Sequence, residues 1–96
     1  MTTENKAIVM EMLRVDLGIS TDAYNNRFSQ YIDYAVEEIT REGIILDESK
    51  PNDLNLIAMY SAWLWRKRDT GYGMPRMLRY ALNNKLIAQK LGESNG

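Results

Sequence analysis

Tyr24-Asn25-Asn26-Arg27-Phe28-Ser29-Gln30-Tyr31-Ile32-Asp33-Tyr34-Ala35-Val36-Glu37-Glu38-Ile39 is the stretch that decides the fold class. Tyr24, Phe28, Tyr31, Ile32, Ala35, Val36 and Ile39 follow one another at steps of three and four. That spacing lines one face of an α-helix and fits no strand. Ser20-Thr21-Asp22 supplies three capping residues ahead of it, and Gly43 supplies a stop, so the stretch predicts a helix over 22–42.

The same pattern extends outward in both directions. Upstream, Ile8, Met12 and Val15 share a face, with Val9 and Leu13 beside them, which predicts a helix over 4–17. Gly18 is placed as its left-handed stop, and Ile19 is expected to pack back on the last turn. Downstream, Ile44-Ile45-Leu46 is too short to build a sheet and reads as an extended apolar lid. Pro51 biases Lys50 away from helix, and Ser49 or Asn52 is expected to cap a third helix over 53–69. Leu54, Ile57, Ala58, Ser61, Leu64 and Trp65 keep its period, while Tyr60 and Trp63 widen its apolar arc, so burial on more than one side is expected. Gly71 ends it. Pro75 suits the first turn of a fourth helix over 75–90, with Met74, Leu78, Leu82 and Leu86 as an i+4 ladder and Ala81 beside it. Residues 91–96 read as a flexible tail. The expectation is a single all-α domain over 1–96, a small bundle of about four helices with an extended segment at 44–46.

At 96 residues the chain is long enough for a modest core. It has no cysteine and no histidine. Disulfides, thiolate nucleophiles and Cys/His zinc sites are excluded, and the commonest general base is missing. Catalysis and cofactors are therefore not expected. No apolar run approaches the roughly 20 residues of a membrane span, and the N-terminus lacks a signal-peptide layout. Gly71-x-Gly73 lacks the third glycine of a dinucleotide fingerprint, because Arg76 stands there, and no strand precedes it.

Charge is unevenly spread. Residues 1–48 hold ten acids against four bases, and residues 49–96 hold three acids against eight bases. This polarity fits internal neutralisation, a basic patch for nucleic acid, or complementary faces that join copies. Glu38 and Glu42 lie four apart with Arg41 at hand, which reads as a solvated face more readily than as a divalent-cation site. Arg66, Lys67 and Arg68 complement the C-terminal dipole of the third helix, each by at most about 0.3–1 kcal/mol. Arg76, Arg79 and Asn83 share a face of the fourth helix. A small DNA-binding or regulatory domain using the 66–85 hairpin is thus an alternative. The long Asp69–Met74 turn and a pI near 5.4 weigh against it. Trp63 and Trp65 lie about 200° apart on a helix, so they cannot share one narrow core face. One is expected to meet a partner or a lid, as an interface anchor beside arginine.

The order of motifs resembles the small α-helical head–tail connector (adaptor) proteins of tailed bacteriophages and prophages. The matching pieces are Met12-Leu13-Arg14-Val15-Asp16, Ser20-Thr21-Asp22, Tyr31 to Ile39, Trp63-Leu64-Trp65-Arg66-Lys67-Arg68 and Met74-Pro75-Arg76-Met77-Leu78. Together they span roughly residues 8–91. Family members often end the third helix with an aromatic, a polar pair and Arg-Glu; here Trp65-Arg66-Lys67-Arg68-Asp69 makes that edge more basic. The resemblance implies a structural adaptor located at the virion's head–tail junction and, during assembly, in the host cytoplasm. It implies a homo-oligomeric ring of about a dozen copies beneath the portal protein, closed by heterologous contacts. Such a ring lets DNA pass without sequence reading and docks head-completion or tail proteins. Under this reading the interface residues are Trp63, Trp65, Arg66, Lys67, Arg68, Arg76 and Arg79 on a basic flank, facing Glu37, Glu38 and Glu42 on the acidic flank of a neighbour. It also implies that Lys85–Gly96 orders only on contact with the portal.

Overall fold

Glycine and proline punctuate four helices. The computed structural model describes residues 1–95 and contains α1 (Thr3–Leu17), α2 (Asn25–Arg41), α3 (Pro51–Lys67) and α4 (Arg76–Asn95), with no strand among the described residues. The chain is a small all-α bundle, as its periodicity predicts.

α1 opens on Thr2, whose hydroxyl accepts the Asn5 N–H at 3.1 Å. It closes on Gly18 at φ 68°, ψ 29°. The Gly18 N–H donates to the Val15 carbonyl at 3.2 Å and the Ile19 N–H to the Arg14 carbonyl at 3.0 Å. This is the Schellman arrangement, and it satisfies carbonyls that the helix leaves unpaired. Ile19 then packs back against the core, as expected.

Two helix starts differ from the sequence expectation. α2 begins at Asn25, with Tyr24 in the cap position and no side-chain cap. Thr21 instead accepts the Ala23 N–H at 3.2 Å, and the Asp22 carboxylate pairs with Arg14 at 3.1 Å. A charged partner on α1 holds the carboxylate that local reasoning assigns to the helix end. α3 begins two residues earlier than expected, at Pro51 itself. Lys50 is extended (φ −100°, ψ 122°), as the proline demands, and it occupies the cap position expected of Ser49 or Asn52. Proline tolerates the first helical position because its missing N–H has no partner there. At the other ends, α3 stops at Lys67, and α4 runs to Asn95, past the expected end near Lys90. Residues 91–95 of the expected tail, and the stretch expected to order only on the portal, are helical up to Asn95; Gly96 lies outside the described residues.

α3 is the centre of the bundle and packs against each of the other helices. Leu54, Leu56, Ile57, Ala58, Tyr60, Ser61, Ala62 and Leu64 are all buried, so its wide apolar arc is used on several sides. Around it sit Phe28, Ile32, Ala35 and Ile39 of α2, Val9 and Leu13 of α1, and Leu78 and Leu82 of α4. Each fully buried large apolar side chain contributes about 1.5–3 kcal/mol. The 44–46 segment is the lid the sequence suggests. Ile44 is buried, Leu46 lies against the core and Ile45 points outward. Gln89 of α4 clamps it, accepting the Ile45 N–H at 2.8 Å and donating to the Gly43 carbonyl at 2.8 Å.

α1 turns differently from its expected orientation. Val9 and Leu13 enter the core, whereas Ile8 and Val15 stand 46% and 73% exposed. An apolar stripe of the helix is left at the surface.

Candidate interaction surface

The two tryptophans diverge as the helical geometry requires. Trp65 packs toward α2, with ring centroids 4.9 Å from Phe28, 5.2 Å from Tyr24 and 6.2 Å from Tyr31, each near edge-on. Such pairs add about 0.5–1.5 kcal/mol beyond buried area. Trp63 faces the other way. It meets Tyr60 edge-on at 5.3 Å and donates its indole N–H to the Tyr72 carbonyl at 2.9 Å. Trp63 thus staples the Gly-rich connection between α3 and α4 onto α3, the lid role expected of one tryptophan.

The basic residues at the end of α3 are also engaged. The Lys67 ammonium lies 4.3 Å from the Trp63 ring centroid, and the Arg68 guanidinium lies 3.6 Å from that of Trp65. Arg68 also donates to the Trp65 carbonyl and sits 3.5 Å from Asp69. Cations over indole faces are held by the ring quadrupole while their other faces stay wet. Arg66 reaches back to Asp16 at the end of α1, at 3.2 Å.

Arg79 forms a two-point contact with Glu42, at 2.8 and 3.3 Å. The hydrogen bond to Glu42 holds its guanidinium above the ordinary arginine range. Arg79 also donates to Asn83 at 3.4 Å, so two of the three residues on the suggested DNA-reading face engage partners within the chain. Arg41 pairs with Glu37 at 3.1 Å and Glu38 at 2.8 Å. The expected acidic and basic flanks are therefore in part each other's partners inside one copy. Arg76 is exposed and makes no ion pair among the described residues. Among the described residues no three acidic side chains converge as a metal site, and no helix is long and apolar enough to cross a membrane.

Two groups escaped sequence reasoning. Asp53 is 3% exposed and accepts the Asp47 N–H at 2.7 Å and the Lys85 ammonium at 3.0 Å. It ties the 47–50 loop and α4 to the first turn of α3. Its partners lie six and 32 residues away, so no local pattern signals it. The second group is an open groove of about 500 Å³ between α2 and the end of α3, lined by Gln30, Tyr31, Tyr34, Leu64, Lys67 and Arg68. Its aromatic wall and cationic end suit a partner's acidic or aromatic side chain.

Two groups of exposed apolar residues line helix faces. One is Ile8 and Val15 on α1, with the half-buried Met12 between them, beside a groove of about 570 Å³. The other is Met77, Tyr80, Ile87 and Leu91 on the outer side of α4. The sequence reading of α4 found its inner ladder and missed this outer stripe, although the spacing is visible in the sequence. No protein-family model, curated protein or solved structure matches the chain.

Proposed function

We propose that this chain is a non-catalytic assembly adaptor whose copies join into a ring, in the manner of the phage head–tail connector proteins that its motif order resembles. Beneath a portal, such a ring extends the DNA channel and docks head-completion or tail proteins. The observation that carries the reading is the pair of separate apolar stripes on one small chain. A unit with two different sticky faces buries both when each copy presents one face to the next, and that heterologous contact closes into a ring if the rotation allows. The internal pairing of Arg66, Arg79, Glu37, Glu38 and Glu42 moves the weight of the contact from ion pairs to apolar surface. It also counts against the DNA-reading alternative, since Arg79 is clamped by Glu42.

Light scattering after size exclusion, with the chain alone and mixed with the portal of its own phage or prophage, tests the proposal. A ring in either sample supports it. A monomer in both, at high concentration and low salt, overturns it. A steep salt dependence of random-duplex binding by the monomer would instead favour the DNA-binding alternative.

A further inference from the structure

The outer stripe of α4 has a regular period. Met77, Tyr80, Asn84, Ile87 and Leu91 follow at steps of three, four, three and four, a seven-residue repeat. All five are exposed, Met77 at 72% and Leu91 at 60%. At about 100° per residue, this stripe lies on the side of the helix opposite Leu78 and Leu82, which fill the core. No described residue covers it. Ile8, Met12 and Val15 of α1 follow at steps of four and three, the same repeat over a shorter length. They border the open groove completed by Glu11, Asp16 and Asn55.

The margins of the two stripes carry opposite charge. On α1, Glu4 and Glu11 are seven residues apart, in the row preceding Asn5 and Met12. On α4, Arg76, Asn83 and Lys90 are spaced by seven, in the row preceding Met77, Asn84 and Leu91. In heptad pairs these rows flank the apolar seam, and their charges set partner choice and orientation. Antiparallel helices bring like-placed rows face to face. An α1 against an α4 then sets acid against base. Two α4 helices packed antiparallel would set Arg76 toward Lys90 of the other copy, like against like, and packed parallel would gain no charge pair.

We propose that the α4 stripe of one copy docks antiparallel on the α1 stripe of the next, with Glu11 facing Arg76. This rests on the adaptor reading for the fact that copies meet; which helices meet, and in which direction, goes beyond it. The second copy is the occupant because both halves of the contact, apolar and charged, are present on one chain.

The absence of cysteine makes the test direct. Ile8→Cys and Met77→Cys, which lie level with each other when Glu11 faces Arg76, are made in separate full-length chains, one carrying a mass tag, and treated with a short thiol cross-linker alone and mixed. Both positions are exposed, so the fold should survive, and circular dichroism checks this. Expected is a product in the mixture severalfold above that of either chain alone. In parallel, Glu11→Lys and Arg76→Glu each weaken association by light scattering, and the mixture of the two variants restores it. Cross-linking of Met77→Cys only with itself would show α4 pairing with α4 and overturn the proposal. So would assembly without any mixed product, an outcome that leaves the adaptor reading standing. A mixed product with no ring on the portal would uphold the contact and sink the adaptor reading. A chain that stays monomeric and gives no product overturns the contact as well.

Discussion

The Arg79 guanidinium joins the start of α4 to the end of α2 by gripping both oxygens of Glu42, at 2.8 and 3.3 Å, across 37 residues of chain. Both side chains remain partly exposed, at 41% and 30%. Solvent screening therefore limits the pair. A double-mutant cycle with Arg79→Met and Glu42→Gln, read by urea unfolding, should give a coupling of about 0.2–1 kcal/mol. The coupling should shrink as salt is raised.

Asp53 and Lys85 should behave differently. The Asp53 carboxylate is almost fully buried and also accepts the Asp47 N–H. Hydrogen bonds to charged groups are worth about 1.5–3 kcal/mol, so Asp53→Asn should cost that much in urea unfolding. Lys85→Met leaves a buried carboxylate without its cation and should cost at least as much. The double variant should lose less than the two singles together. A coupling no larger than that of Arg79 and Glu42 would refute this account of burial.

The two tryptophans predict separable losses. Trp65→Ala removes the ring that meets Tyr24, Phe28 and Tyr31, and should cost about 3 kcal/mol of global stability. Trp63→Phe keeps most of the packing and removes the hydrogen bond to Tyr72. Its global cost should be about 1 kcal/mol. Its signature should be faster protease cleavage within 68–75, since the connection loses its staple. Equal cleavage in both proteins would mean that the indole N–H does not hold the turn.

Tyr60 should make the fold sensitive to alkali. Burial, then the nearby Glu38 and Glu42 charges, raise its phenol above the ordinary value. A raised folded value means that the unfolded chain loses its proton first. Tyr60 then contributes stability that is whole below about pH 10 and is lost as pH climbs through the folded value. Unfolding free energy measured from pH 8 to 11 should therefore fall at the alkaline end. Tyr60→Phe should flatten that fall while changing neutral stability little.

Much of the fold follows from local chemistry. Gly18, Gly43 and Gly71 all adopt positive φ at helix ends, where an L side chain is strained. Pro51 sits at a helix start for an equally local reason. The misplaced start of α2 shows where local reasoning stops. Ser20, Thr21 and Asp22 are good caps by type, but Arg14 on another helix takes the Asp22 carboxylate. The orientation of α1 is a second case. Ile8, Met12 and Val15 make as regular a stripe as Val9 and Leu13, and period alone does not choose between them.

Four helices, the glycine stops of the first three and the inner faces of α2, α3 and α4 follow from the chain itself, because periodicity and backbone preference act over a few residues. It also determined the divergence of Trp63 and Trp65, which follows from 100° per residue. Only the tertiary structure decided which stripe of α1 turns inward, that Asp53 is buried with Lys85, and that Arg66 and Arg79 answer Asp16 and Glu42 of their own chain. Those choices depend on residues 32–50 positions apart meeting in space. Burial and charge pairing are settled by what the whole bundle packs together, and among what it leaves exposed are the apolar residues of α1 and α4 on which the proposed assembly rests.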